Sequence, residues 1–222
     1  MIFARFPSGA TLRSRSVSGV VLHARLDVPA PPARLWGDWE RDVVRQLQLA
    51  PGDVEPLALA RARARWPAYR QCVQQVADWT RTLGLGELLD SCDAALMACR
   101  GARYHHDAEQ YGGAAFCNLF LGADRGLDLH FPDADVRIPL VRGTAVLFDT
   151  GQPHAVVPRG RCDFDAADFA SDRDCTEVFL TWELPVEDVR VARALGIVLD
   201  VEPATPAAVT AACVPRSPSR PS

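Results

Sequence analysis

The 222-residue chain contains no lysine, since all 24 of its basic residues are arginine. Without lysine there is no side-chain amine for a Schiff base, no lysine general base and no phosphate-loop lysine. The enzyme classes built on those groups are therefore excluded. Any anion that this protein holds with a side-chain cation must be held by arginine.

The chain also lacks long apolar runs and paired cysteine motifs. No stretch reaches the roughly 18 apolar residues of a membrane span, and the first residues lack the apolar segment of a signal peptide. Its seven cysteines are scattered, with no C-x-x-C pair, which indicates reduced thiols rather than a zinc site or a disulfide framework. These absences predict a cytoplasmic protein with no membrane partner.

The composition is that of an ordinary soluble globule. Apolar residues make up 48 % and charged residues 23 % of the chain, and the formal net charge is -4. A nucleic-acid partner is therefore not expected. At roughly 100–200 residues per domain, we expect a single domain over residues 1–200. Residues 202–222 are rich in Ala, Pro and Ser and are predicted to be a disordered tail.

Helical periodicity is concentrated before residue 90. Apolar residues recur every three or four positions in residues 33–49 and again in 56–83, where Pro67 interrupts the pattern. Residues 1–30 alternate loosely and suggest one or two strands. We therefore expect a helical N-terminal part over residues 33–90.

From about residue 91 onward, short apolar runs are separated by Gly, Pro and Asp, which is typical of an all-β body. The strand candidates are residues 94–104, 114–121, 127–131, 136–140, 144–148, 154–157 and 176–184. They predict a jelly-roll core over residues 91–184. Proline and acids at 185–188 then open a short helix that Gly196 can cap. The predicted fold class is α+β, a jelly roll with N-terminal helices packed on it and a short C-terminal helix.

Two histidines and one aspartate are candidate metal ligands. His105 and Asp107 lie two residues apart at the end of a predicted strand, where the period of two places both side chains on one face. His154 opens another strand 47 residues after Asp107. Two imidazoles and a carboxylate can occupy one face of an octahedral ion and leave the other open, as in non-haem iron(II) oxygenases. The alternative is that all three are polar residues at strand ends.

Six parts of the chain follow one another in a recognisable order: an H-x-D tripeptide, a strand, a glycine turn, a glycine-led strand ending near Phe, a distal histidine and a last strand. They are residues 105–107, 118–121, 126–129, 143–149, 154 and 178–182. In this order the segment from about 104 to 184 resembles the iron(II)- and 2-oxoglutarate-dependent dioxygenases of the double-stranded β-helix fold, which include the prolyl hydroxylases. The last strand of that family carries an arginine or lysine, whereas residues 178–182 contain no basic residue.

The resemblance implies His105, Asp107 and His154 as ligands of iron(II), with 2-oxoglutarate as co-substrate and ascorbate as an optional reductant. The family's basic residue for the distal carboxylate of 2-oxoglutarate lies about ten positions after the distal histidine, where this chain has Phe164. The candidate anchors are instead Arg173, which precedes the last strand, and Arg159.

Each of these cofactor-binding candidates has a structural alternative. A planar guanidinium suits bidentate binding of a carboxylate, but Arg173 has Asp172 and Asp174 beside it and could simply pair with them. Asn118 and Tyr104 are further candidates for hydrogen bonds to the cofactor. On sequence alone, a residue of either type is more often structural.

The resemblance implies hydroxylation of a C–H bond in a small-molecule or peptide substrate, with release of succinate and CO₂. Two alternatives stay open. One is a cupin-type metal enzyme that does not use 2-oxoglutarate, and the other is a non-catalytic β-barrel binding module. The substrate, the oligomeric state and the choice between hydroxylation and another oxidation do not follow from the residues.

Overall fold

A computed structural model of the protein describes residues 2–169 and 174–200. The described residues form twelve strands: β1 (Phe3–Ser8), β2 (Thr11–Ser16), β3 (Val21–Arg25), β4 (Val54–Leu57), β5 (Ala94–Cys99), β6 (Ala102–His105), β7 (Ala114–Phe120), β8 (Leu127–Phe131), β9 (Val136–Pro139), β10 (Thr144–Asp149), β11 (His154–Pro158) and β12 (Glu177–Pro185).

They also form five α-helices: α1 (Ala33–Asp42), α2 (Leu59–Arg65), α3 (Tyr69–Thr82), α4 (Ala108–Tyr111) and α5 (Val189–Leu195). A single π-helical turn, Val43–Leu47, continues α1, and short 3-10 segments cover Leu88–Ser91, Pro132–Ala134 and Ala166–Phe169.

The strands build two facing antiparallel sheets and one separate hairpin. The larger sheet has the order β3-β10-β7-β12-β5-β4, the smaller one the order β6-β11-β8-β9, and β1 pairs with β2. From β5 to β12 the chain passes repeatedly between the two sheets, which gives the two-layer antiparallel arrangement typical of jelly rolls. The fold class is α+β, as predicted.

Side-chain alternation along the strands creates two separate cores. On β7, Cys117 and Leu119 face outward and join the cluster beneath the helices, whereas Phe120 faces the smaller sheet. The helices contribute apolar stripes such as Leu35 and Trp39 to the outer cluster. Alternate residues of these strands therefore line the space between the two sheets, while the residues between them pack against the helices.

The single strand predicted over residues 94–104 is in fact two strands in different sheets. The break is at Gly101, whose φ is +67° and whose Cβ, if it had one, would lie 2.4 Å from the ring of Phe169. Only glycine combines that backbone with that approach. This turn moves β6, and with it His105, into the smaller sheet.

Three other predictions about the strands and helices were wrong. Residues 1–30 contain three strands rather than one or two, and residues 54–57 form β4 where a helix was expected to begin. Both β3 and β4 are at the edges of the larger sheet, so pairing with a neighbouring strand overrides their weak local pattern. Residue 185 ends β12, and α5 begins only at Val189, with Asp188 accepting the capping hydrogen bond from Arg190 N–H.

The C-terminal helix ends as predicted, since Gly196 adopts the left-handed conformation. Among the described residues no helix is both long and apolar enough to cross a membrane. The predicted tail, residues 202–222, lies outside the described residues.

Candidate metal centre

The two histidines of the candidate site are neighbours in the smaller sheet. His105 is the last residue of β6 and His154 the first residue of β11, and the two are paired across the antiparallel ladder. Their ring centroids are 4.4 Å apart. Strand pairing therefore brings together two imidazoles that are 49 residues apart in the sequence, since 154 − 105 = 49.

Asp107 reaches the same place by a different route from the one predicted. It does not continue the strand but occupies the N-cap position of α4, and its backbone N–H donates to the carbonyl of Thr150 at 2.7 Å. The turn, rather than the pleat of a strand, aims its side chain. Its Oδ1 lies 3.6 Å from Nε2 of His105 and its Oδ2 lies 3.6 Å from Nε2 of His154.

Backbone carbonyls orient both rings. Nδ1–H of His154 donates to the carbonyl of Gln152 at 3.0 Å, and Nδ1–H of His105 donates to the carbonyl of Arg103 at 2.6 Å. Nδ1 is therefore the donor in each ring, and Nε2 of each ring faces Asp107. Such second hydrogen bonds are how metal-binding histidines are held in proteins.

The chemistry of these donors fits a divalent metal ion. One ligand atom from each of His105, Asp107 and His154 can be chosen so that all lie within 4.8 Å of one another. Two imidazole nitrogens and one carboxylate oxygen on a single side are the donor set of non-haem iron(II) sites, with the remaining coordination positions open. These residues therefore fit a divalent metal ion both in the types of donor atom and in the way those atoms converge.

Burial makes the same group unfavourable without a cation. Burial, together with His105, lowers the pKa of His154 to about 3, so this ring is neutral at pH 7. Burial also raises the pKa of Asp107, because the loss of solvation of its carboxylate outweighs the opposing effect of His105 and His106. A bound divalent cation would supply the missing positive charge.

The three side chains line one wall of a cavity of about 290 Å³ between the two sheets. Most of the rest of the wall is apolar and includes Phe116, Phe120, Leu129, Phe148 and Phe179. Its other polar residues are Gln110, Tyr111, Asn118, Thr181 and Glu183. No arginine is among the described residues that line it.

Asn118 is a predicted cofactor-binding residue that does reach the cavity. It is 7 % exposed, and its Oδ1 is buried with no hydrogen-bond partner in the described part of the chain. Thr181, its neighbour across the β7–β12 ladder, lines the same wall. A buried polar atom without a partner is costly, so this amide is available to a ligand.

Tyr104 and Arg159 lie elsewhere. The hydroxyl of Tyr104 is 2.5 Å from Nδ1 of His130 and donates to the carbonyl of Cys162 at 3.1 Å. Arg159 follows the last residue of β11, at the opposite end of the strand from His154. The guanidinium of Arg159 pairs with Asp124 at 2.9 Å and with Asp128 at 3.0 Å. Neither residue lines the cavity.

Arg173, the other candidate anchor, lies outside the described residues. Sequence reasoning overlooked Thr181 and Glu183, which line the cavity from β12. Their signal was available, because residues 179, 181 and 183 alternate along a predicted strand with the buried Trp182. Tyr111 and Gln110 had no such signal, since they come from the short helix beside Asp107.

No protein-family model matches this chain, and no curated protein does. Among solved structures, a Pseudomonas putida prolyl-4-hydroxylase is similar to it with 19 % identity and a TM-score of 0.44, over 76 % of this chain and 93 % of that one. A Trichoplax adhaerens prolyl hydroxylase in complex with a hypoxia inducible factor peptide fragment is 14 % identical with a TM-score of 0.43, over 78 % and 86 %.

A third similar structure is SnoN, a non-heme alpha-ketoglutarate-dependent epimerase from nogalamycin biosynthesis. It is 13 % identical, with a TM-score of 0.38, over 75 % of this chain and 77 % of that one. All three likenesses are distant. What this chain does therefore has to follow from the geometry of its own cavity.

Proposed function

We propose that this chain is an iron(II)- and 2-oxoglutarate-dependent dioxygenase that hydroxylates a C–H bond of a small-molecule or peptide substrate. The observation that carries the proposal is the convergence of His105, Asp107 and His154 on one wall of the cavity, with both Nε2 atoms facing the carboxylate. Ligands confined to one side leave room at the ion for dioxygen and a chelating co-substrate.

The strand order supports the same proposal. The core strands of the larger sheet run β10-β7-β12-β5 and those of the smaller sheet run β6-β11-β8-β9. We propose that these eight strands form the double-stranded β-helix that the sequence resembles. The histidine ligands then come from β6 and β11, which are adjacent in the smaller sheet.

When bound, iron(II) and 2-oxoglutarate supply the oxidising chemistry, in which dioxygen is consumed, succinate and CO₂ are released and one oxygen atom enters the substrate C–H bond. The chain's own residues bind, orient and exclude water. Phe116, Phe148 and Phe179 keep the cavity apolar, and Asn118 and Thr181 offer hydrogen bonds to a polar ligand.

If a side-chain cation binds the distal carboxylate of 2-oxoglutarate, that cation is an arginine, because the chain contains no lysine. The described residues that line the cavity include no arginine, and Arg159 forms ion pairs with Asp124 and Asp128. We therefore propose Arg173 as the anchor. It belongs to the segment that leads into β12, the strand that contributes Thr181 and Glu183 to the cavity.

The lack of a described cation in the cavity favours one rival, a metal enzyme of the cupin type that does not use 2-oxoglutarate. An anaerobic titration separates the two. The proposal predicts that iron(II) followed by 2-oxoglutarate produces a visible charge-transfer band. Iron(II) binding without that band, together with turnover that does not need 2-oxoglutarate, would establish the rival.

Single substitutions in the same titration test the metal ligands and the 2-oxoglutarate anchor. His154→Ala should lose iron(II) and the band together, and Arg173→Ala should keep iron(II) but need at least tenfold more 2-oxoglutarate. If Arg159→Ala weakens 2-oxoglutarate and Arg173→Ala does not, the anchor is misassigned. If His154→Ala binds iron(II) as tightly as the unsubstituted protein, the ligand set is wrong.

A further inference from the structure

Arg15, in β2 of the N-terminal hairpin, has a guanidinium that is completely buried. Nη1 and Nη2 each donate to one carboxylate oxygen of Asp149 at 2.7 Å. Nε donates to the carbonyl of Gly112 at 2.6 Å, and Nη1 also donates to that of Ser16 at 3.1 Å. One side chain thus joins the hairpin to two segments that are distant in the sequence.

Asp149, the last residue of β10, is equally buried and has four donors. Besides Arg15, its Oδ2 accepts from the backbone N–H of Ser18 at 2.7 Å, and its Oδ1 from that of Gly151 at 2.8 Å. Its own carbonyl accepts from the N–H of Gln152 at 2.9 Å. These bonds shape the turn that ends at His154.

Thr150 connects that turn to the segment that carries Asp107. Its carbonyl accepts from the N–H of Asp107 at 2.7 Å. Its hydroxyl oxygen lies 2.8 Å from the carbonyl oxygen of Tyr111 and 2.9 Å from that of Ala114, which share its single proton. Gly112, which binds Nε of Arg15, belongs to the same segment. Arg15 therefore contacts both of the chain segments that present metal ligands.

We propose that Arg15 is a positioning residue that holds the Asp107 and His154 segments in the arrangement required for metal binding. The inference rests on the proposed metal site and adds a residue that contacts none of the ligands itself. Bringing a guanidinium and a carboxylate fully out of water costs about as much as their attraction returns. What the pair provides beyond apolar packing is a unique geometry. Two hydrogen bonds join the side chains to each other, and four more join them to backbone groups of Gly112, Ser16, Ser18 and Gly151.

The competing explanation is that Arg15 only fastens the hairpin to the rest of the protein. Arg13, two residues earlier on the same strand, gives the matched control. It also joins the hairpin to distant carboxylates, those of Glu187 and Asp200, but these belong to the C-terminal part and not to the ligand segments. A fastening role predicts the same outcome for both arginines, whereas a positioning role separates them.

The experiment measures Co²⁺ binding by calorimetry and the visible spectrum of the bound Co²⁺. We expect Arg15→Lys, which keeps the charge but loses the bidentate fork, to raise the Kd for Co²⁺ at least tenfold and to change the spectrum. Arg13→Met should leave both unchanged. A folded Arg15→Lys variant with the unsubstituted Kd and spectrum overturns the inference.

Hydrogen exchange in the unsubstituted protein gives a second test that needs no variant. Coupling is reciprocal, so Co²⁺ should slow exchange at the Ser18 and Gly151 amides, which donate to Asp149. It should do so more than at the amide of Leu26, which donates to Gly143 at the other end of β10. If Arg15→Lys does not fold, equal effects at these amides overturn the inference.

Co²⁺ binding by the variants distinguishes an error in the proposed metal site from an error in the proposed role of Arg15. If the unsubstituted protein binds no Co²⁺, or if His154→Ala binds it equally well, the proposed function is wrong and the inference is wrong with it. If His154→Ala abolishes binding while Arg15→Lys preserves it, only the positioning role is wrong.

Discussion

Glu177, at the start of β12, is fully buried, and neither of its carboxylate oxygens has a hydrogen-bond partner among the described residues. Burial raises its pKa from the ordinary 4.5 to about 8, against the opposing effect of Arg125. The native protein therefore keeps this carboxyl protonated at pH 7, whereas the unfolded chain does not.

The raised pKa of Glu177 predicts that the free energy of unfolding depends on pH. Because the native pKa is raised, the contribution of Glu177 is complete below pH 4.5 and is lost progressively as the pH rises to about 8. The loss is at most about 1.4 kcal/mol per pH unit. Glu177→Gln, which cannot ionise, should be more stable than the unsubstituted protein at pH 8 but not at pH 5.

Urea denaturation at both pH values measures this difference. Glu183→Gln is the matched control, since Glu183 lies on the same strand but is exposed, and it should show no such difference. Equal free energies of unfolding for Glu177→Gln and the unsubstituted protein at pH 8 would contradict the raised pKa.

At the scale of elements, Gly143 shows how β3 is attached to the edge of the larger sheet. Its carbonyl accepts from Leu26 N–H at 2.8 Å, and its own N–H donates to the carbonyl of Phe120 at 2.9 Å. Its φ is +86°, and a Cβ there would lie 2.0 Å from the carbonyl oxygen of Leu26. Two strand connections meet at a point that only glycine can occupy.

Gly143→Ala should therefore lower the free energy of unfolding by about 2–5 kcal/mol, from backbone strain and overpacking together. Gly160→Ala separates the two causes, because Gly160 has a φ of +82° with nothing within 4 Å of its Cβ position. It should cost only the strain, about 1–2 kcal/mol. Equal losses for the two variants would mean that the approach of Leu26 contributes nothing.

At the scale of the whole molecule, the proposed metal site brings together side chains from three separate parts of the chain. His105, Asp107 and His154 come from β6, the cap of α4 and β11. An unfolded chain cannot assemble them, so a metal bound to the native state stabilises that state.

We expect metal ions at 100 times their Kd to stabilise the protein by about 2.7 kcal/mol, which is roughly 5–10 °C in the unfolding midpoint for a chain of this length. Thermal denaturation with Co²⁺, and again after adding a chelator, measures the effect. The rise should be absent in His154→Ala. The same rise in that variant would mean that Co²⁺ stabilises the protein from another site.

Local pattern was enough to predict most of the core strands. β8 lies at the predicted residues, and β7, β9, β10, β11 and β12 each lie within one residue of prediction at either end, because alternation and bounding turns are written into the residues themselves. The same pattern could not show that residues 94–104 divide at Gly101, since the ring of Phe169 that forbids a side chain there is 68 positions away (169 − 101).

The residues of the chain alone set the kinds of donor available to a metal, two imidazoles and a carboxylate, and require that any side-chain cation be arginine. Folding set where those groups point. Asp107 faces the histidines through a hydrogen bond to Thr150, and Arg15 reaches Asp149 across 134 positions (149 − 15). Such contacts have no period along the chain, so they arise only when the two sheets close and bury their polar groups together.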